Sequence, residues 1–170
     1  SAVVSGPMAA VVLADQGAKV IKVEPPGWGD GVRYLGASRG GVSAIFSLIN
    51  RNKKSLALNL KHPDGQAILM RLLATADGVM HNYRPGKMER LGLGYASLRE
   101  HFPDLIYLAI SGMGDVGPYA GQKVYDYVIQ GLSGILDAQG THNRFEMVRT
   151  IIYDKVCLLY TSPSPRDLAV

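Results

Sequence analysis

Cysteine is almost absent: Cys157 is the one thiol among 170 residues. That excludes an internal disulfide and suits a reducing cytoplasm. Long apolar runs are missing as well. None reaches the roughly 18 residues that span a bilayer, so no membrane segment is expected. Charge of one sign is in small excess, since 18 basic residues against 14 acidic ones leave +4. No basic stripe interleaved with aromatics accompanies it, which gives no ground for nucleic-acid binding. The opening residues, SAVVSGPMAA, hold no initiating Met and no basic leader region, so a secretory signal is not expected and the start reads as a fragment.

What remains is ordinary for a globular domain: 47% hydrophobic and 19% charged residues in a chain long enough for a sizeable core. GPMAAVVLADQGA predicts a helix closing on Gly17, and KVIKVEPP a strand ended by two prolines. GVSAIFSLIN reads as a short helix, KKSLALNL as a strand, and HPDGQAILMRLLATA as a helix with Pro63 in its first turn. DGVMHNY is a strand, MERLGL a short helical turn, and YASLREHFP a helix. LIYLAIS is a continuous apolar strand of the type buried on both faces. YDYVIQGLSGIL is a helix, and Val148 to Tyr153 form a last strand that delivers Asp154 at its carboxyl end. From Cys157 on, with Pro163 and Pro165, neither helix nor strand is expected. This alternation predicts an α/β fold, a Rossmann-like parallel sheet with helices on both faces.

Chemistry in such folds gathers at the carboxyl ends of the strands. Those positions are Glu24 to Arg33, Lys61, Asn82 to Arg90, Gly112 to Tyr119 and Asp154. Arg33, Lys61 and the group Arg84, Lys87 and Arg90 are cations from separate elements, as a ligand with several phosphates requires. GMGDVG matches a dinucleotide pattern, but PYAGQK follows it where a helix would have to begin. It reads as a loop, and a nicotinamide cofactor is not expected. On the residues alone, Asp154 fits a nucleophile and a helix cap or surface acid equally well.

The segments LADQGAKVIKVEPPGWGD, NRNKKSLALNLKHPDG, NYRPGKMERLGLGY, ISGMGDVGPY and VYDYVIQGLSG occur in this order in the family III coenzyme A transferases. The chain resembles that family from about Ser5 to Val156, and the family also contains the α-methylacyl-CoA racemases. The resemblance implies that Arg33 and Lys61 bind CoA phosphates, that Asn82, Tyr83 and Arg90 line the CoA groove, and that Lys123 and Tyr125, next to Asp126, also belong to the CoA-binding set. It makes Asp154 the catalytic nucleophile. It implies coenzyme A as substrate, no metal, exchange between an acyl-CoA and a carboxylic acid, and an interlocked, cytoplasmic homodimer at full length. The racemases have a His where this chain has Tyr125, and a phenol, ordinarily deprotonating near pH 10, is a poor base. The transferase is therefore expected over the racemase, and over a CoA-binding fragment without catalysis. On this reading residues 1–156 are part of the large domain. CLLYTSPSPRD, Cys157 to Asp167, matches one translated frame of a common sequencing adapter, and residues 157–170 are expected to be a non-native tail. The chain as written is expected to be inactive and prone to aggregation.

Overall fold

The structure, a computed structural model, describes residues 1–141 and 144–161, with side chains to residue 156. It divides into two compact units, Ser1–Ile110 and Ser111–Val170.

In the first unit, small residues let helix α1 (Ser5–Asp15) bury Gly6, Ala9, Ala10 and Ala14 along its length. The helix stops where expected, with Gly17 in the left-handed region at φ 101°. Strand β1 (Val20–Glu24) then runs parallel to β4 (Lys53–Ala57), with Val20 opposite Lys53 and Glu24 opposite Ala57. Between them lie a 3₁₀ turn (Gly31–Tyr34), the antiparallel ribbon β2 (Ser38–Arg39) and β3 (Val42–Ser43), and helix α2 (Ala44–Asn50). Side chains start both helical pieces: Asp30 accepts from the Val32 N–H, and Ser43 from the Phe46 N–H. Helix α3 (Pro63–Leu73) opens on Pro63, where a missing N–H costs nothing, with Asp64 at its positive end. Strand β5 (Gly78–His81) runs parallel to β6 (Ile106–Ala109), and the connection holds α4 (Lys87–Arg90) and α5 (Tyr95–His101). The core beneath is Leu58, Leu69, Leu73, Met88, Leu93 and Leu98. Each such buried side chain contributes about 1.5–3 kcal/mol. Met88 lies inside α4 itself, so the cations Lys87 and Arg90 on either side of it are anchored from below.

The α/β class read from the sequence is therefore present, with the parallel strands forming two separate pairs among the described residues. LIYLAIS differs from expectation. It is not buried on both faces: Ile106, at 67%, and Ala109 are exposed, and Tyr107 and Leu108 are only partly buried.

The second unit contains the glycine-rich stretch as a loop, with Gly114 and Gly117 at positive φ, as expected. The single helix expected over YDYVIQGLSGIL is split into α6 (Asp126–Leu132) and α7 (Ile135–Gln139) at Gly134, which takes φ 78°. The largest correction concerns the end. Val148 to Tyr153 are not a strand: residues 148–151 are irregular and α8 (Ile152–Thr161) follows, so Asp154 stands in the first turn of a helix. The physical reason is the partner. The backbone here bonds to side chains of α6 rather than to a neighbouring strand, and an acid in a first turn suits the helix dipole. Helix α8 also runs five residues into the stretch expected to be structureless, since no Gly or Pro intervenes before Pro163. The rest of the expected non-native tail, residues 162–170, lies outside the described residues. Among the described residues no helix is long and apolar enough to cross a membrane.

Candidate active site

The turn after β5 carries a cluster of cations. Lys87 sits with its Nζ 3.7 Å from the centroid of the Tyr83 ring. Burial, and then the charges of Lys61, Arg90 and Arg84, push its ammonium below the usual lysine range. Four cations acting on one another, Lys61 beyond β4 and the others beyond β5, make this a positively charged patch. Three of the residues expected to bind CoA are thus brought together: Lys61, Arg90 and the half-buried Tyr83. Lys87 and Arg84, which the resemblance had not assigned a role, complete the group. Tyr83 is fixed from behind, its N–H donating to His81 Nδ1 at 3.2 Å, while His81 Nε2 meets Tyr107 Oη at 2.8 Å. Burial raises the Tyr83 phenol above its ordinary pKa.

Arg33 and Asn82 are held in other ways. The Arg33 guanidinium is forked onto Glu24, with Nε 3.0 Å from Oε1 and a second nitrogen 2.7 Å from Oε2, and lies 4.0 Å over the Phe46 ring. Glu24 also accepts from the Asp30 N–H and the Ser55 hydroxyl. Beside it, Lys22 and Asp30 form a buried ion pair at 2.8 Å. Lys53 donates to the Pro7 and Ile49 carbonyls and to Asn50 Oδ1. Arg33 therefore points one fork inward at a buried polar network and only its outer edge at solvent. Asn82 uses both ends of its carboxamide on one residue: Oδ1 accepts from the Ala2 N–H at 2.7 Å, and Nδ2 donates to the Ala2 carbonyl at 2.6 Å. It acts as a clasp between the chain start and the strand end, a role that sequence reasoning did not assign.

In the second unit Lys123 and Tyr125 are exposed on the approach to α6, and Tyr125 is its N-terminal boundary residue. The next residue, Asp126, is buried, and its Oδ1 accepts from the Tyr153 N–H at 2.6 Å and the Asp154 N–H at 3.1 Å. Asp154 is partly buried. Burial first, and then the Asp126 charge, hold its carboxyl above the usual aspartate range. The unit thus presents one carboxylate as a structural clamp and a second, partly exposed, carried by the clamped backbone. Gln130, which completes the clamp, went unread in the sequence, although its four-residue spacing from Asp126 on a helix was visible there.

Comparison with known proteins identifies the family. The chain is similar to the acetyl-CoA:oxalate CoA-transferase of Acetobacter aceti, at 44% identity over 138 residues, covering 81% of this chain and 36% of that protein. It is similar to the succinyl-CoA:glutarate CoA-transferase of Homo sapiens, at 43% identity over 142 residues, covering 83% and 32% respectively. A crystal structure of a CaiB/BaiF family protein from Brucella suis matches with a TM-score of 0.87 at 34% identity, covering 99% of this chain and 45% of that one. The chain spans about a third of the length of the curated relatives it matches. A profile of the CoA-transferase family III covers residues 1–163, and with that match over nearly its whole length the chain belongs to this family.

Proposed function

We propose that the whole protein moves coenzyme A between carboxylic acids, with Asp154 as the nucleophile. The observation that carries this reading is the partly buried Asp154 carboxylate, held by its backbone against Asp126 in a chain of this family. A carboxylate needs no base to attack. It adds to the acyl-CoA thioester carbonyl, and the carbon–sulfur bond breaks to give an acyl-aspartyl anhydride and CoA thiolate. The thiolate attacks the aspartyl carbonyl, releasing the donor acid and leaving an aspartyl-CoA thioester. The acceptor carboxylate displaces the thiolate from that thioester, giving a second anhydride. Attack of the thiolate on the acceptor's acyl carbon then forms the new acyl-CoA and frees Asp154. These steps exchange groups of similar leaving ability, so the protein's work is positioning and exclusion of water. The N–H groups of the loop 112–117 are suited to hold the oxyanions.

Lys61, Lys87 and Arg90 with Tyr83 are proposed to take the phosphates of CoA, with Arg33 and Asn82 shaping the groove beside them. Lys123 and Tyr125, exposed before α6, are proposed to bind CoA as well. A phenol rather than an imidazole at position 125 favours transfer over racemisation. The acids named for the two relatives, oxalate and glutarate, are dicarboxylates, which places dicarboxylates first among acceptors to screen. We also propose that the full-length protein is a cytoplasmic, interlocked homodimer whose strand pairs belong to one Rossmann-like sheet, and that residues 157–170 are a non-native tail. The test is mass spectrometry of the full-length protein after incubation with acyl-CoA. A hydroxylamine-sensitive adduct on Asp154 is expected, absent from Asp154→Ala. Full CoA exchange by Asp154→Ala would refute the nucleophile.

A further inference from the structure

We infer that Gln130 is a positioning residue, setting the segment that carries Asp154 through its own bonds and through Asp126. The inference rests on the reading of Asp154 as nucleophile. Gln130 is completely buried, and both ends of its carboxamide are satisfied. Its Oε1 accepts from the Val148 N–H at 2.9 Å. Its Nε2 donates to Asp126 Oδ2 at 2.6 Å, and lies 3.4 Å from the Val148 carbonyl and 3.3 Å from that of Thr150.

Residues four apart share a helix face. From that face Gln130 holds residues 148–150, and Asp126, which it orients, holds the N–H groups of Tyr153 and Asp154. The segment is irregular up to its helix, so no ladder of backbone bonds fixes it. These two side chains take the place of the missing strand partner. Orphaning any one of the buried groups would be unfavourable, so the segment keeps one position.

The arrangement also has an electrical side. Asp126 is the charged group of α6 that acts on Asp154, while Tyr127 on the same helix is exposed. Lys155, next to Asp154, is tied to Thr150 Oγ1, and Arg149 is exposed. Moving the Asp126 charge should therefore move the pH at which Asp154 gains its proton.

The experiment uses the full-length protein with three variants: Asp126→Asn, Gln130→Glu and the exchange D126N/Q130E. Gln130→Glu sets two acceptors against each other and should lower kcat by about 10²-fold, the scale of a misplaced reacting group, with KM for acyl-CoA little changed. In the exchange, an amide at 126 donates to a carboxylate at 130, which still accepts from Val148. Part of kcat should return, since a carboxylate at 130 has no proton for the Val148 and Thr150 carbonyls. The acid limb of the pH profile should move to lower pH, because the side chain that accepts from the Asp154 N–H no longer carries the charge. An exchange variant no better folded or no more active than either single variant overturns the inference, as does an acid limb that does not move. If wild-type protein forms no adduct on Asp154, the nucleophile reading itself fails, an outcome distinct from these.

Discussion

The Lys87 ammonium rests on the face of the Tyr83 ring, 3.7 Å from its centroid. A cation–π contact of this kind supplies about 0.5–1 kcal/mol at an exposed site, which holds the lysine in place while Lys61, Arg84 and Arg90 repel it. Lys87→Met should weaken CoA binding to the full-length protein about tenfold at low salt, the scale of one charged hydrogen bond. The difference should shrink as salt is raised. Titration calorimetry at two ionic strengths measures this, and an unchanged affinity would remove Lys87 from the phosphate site.

Glu24 links pH to the stability of the first unit. Burial opposes its charge, but the Arg33 fork and the Asp30 N–H outweigh burial and hold the carboxyl below its ordinary value of 4.5. A carboxyl with a depressed folded-state pKa contributes stability above its unfolded value and loses it as pH falls through the folded one. Glu24→Gln should therefore lower the urea midpoint at neutral pH, by the equivalent of about 1–3 kcal/mol for disturbed buried bonds. Below pH 4.5 the gap between variant and wild type should close. A gap independent of pH would show that the charge of Glu24 contributes nothing.

Gly65 permits a close packing at the start of α3. A Cβ there would stand 2.1 Å from the Asn59 carbonyl oxygen, and backbone cannot move aside as a flexible side chain can. Gly65→Ala should destabilise by about 1–3 kcal/mol, as overpacking does, and lower the denaturant midpoint without altering the slope. Because Asn59 directly precedes Leu60 and Lys61, CoA affinity should fall as well.

Trp28, the one tryptophan, is 79% exposed and meets Tyr34 edge-on at 5.7 Å. Its fluorescence should be quenched by iodide in the folded chain almost as readily as in urea. Strong protection from quenching would place the PPGWGD loop elsewhere.

Much of the first unit was legible in the sequence because local signals agreed there. Gly17 stops α1, Pro63 starts α3, and the period-2 character of KKSLALNL marks β4. The cation cluster was legible as separate charges at strand ends; that they act on one another needed the fold. Val148 to Tyr153 misled because an apolar, β-branched run has no single periodicity to decide between strand and buried segment. What decided it was Asp126 and Gln130, some twenty residues away, and a single sequence does not show such pairings. For the same reason Arg33 and Asn82 were read as ligand contacts alone. Their partners, Glu24 and Ala2, are near or far in the chain with no pattern joining them.

The four-residue interval between Asp126 and Gln130 also limits how this protein can change in length. One residue inserted between them would rotate Gln130 by about 100° around the helix and take it off the face it shares with Asp126. Val148 would lose its acceptor and Asp126 Oδ2 its Gln130 donor in a single event. Insertions in the loop before α6 carry no such geometric penalty. Length variation among natural descendants of this gene should therefore collect before Tyr125 and be rare across the turn from Asp126 to Gln130.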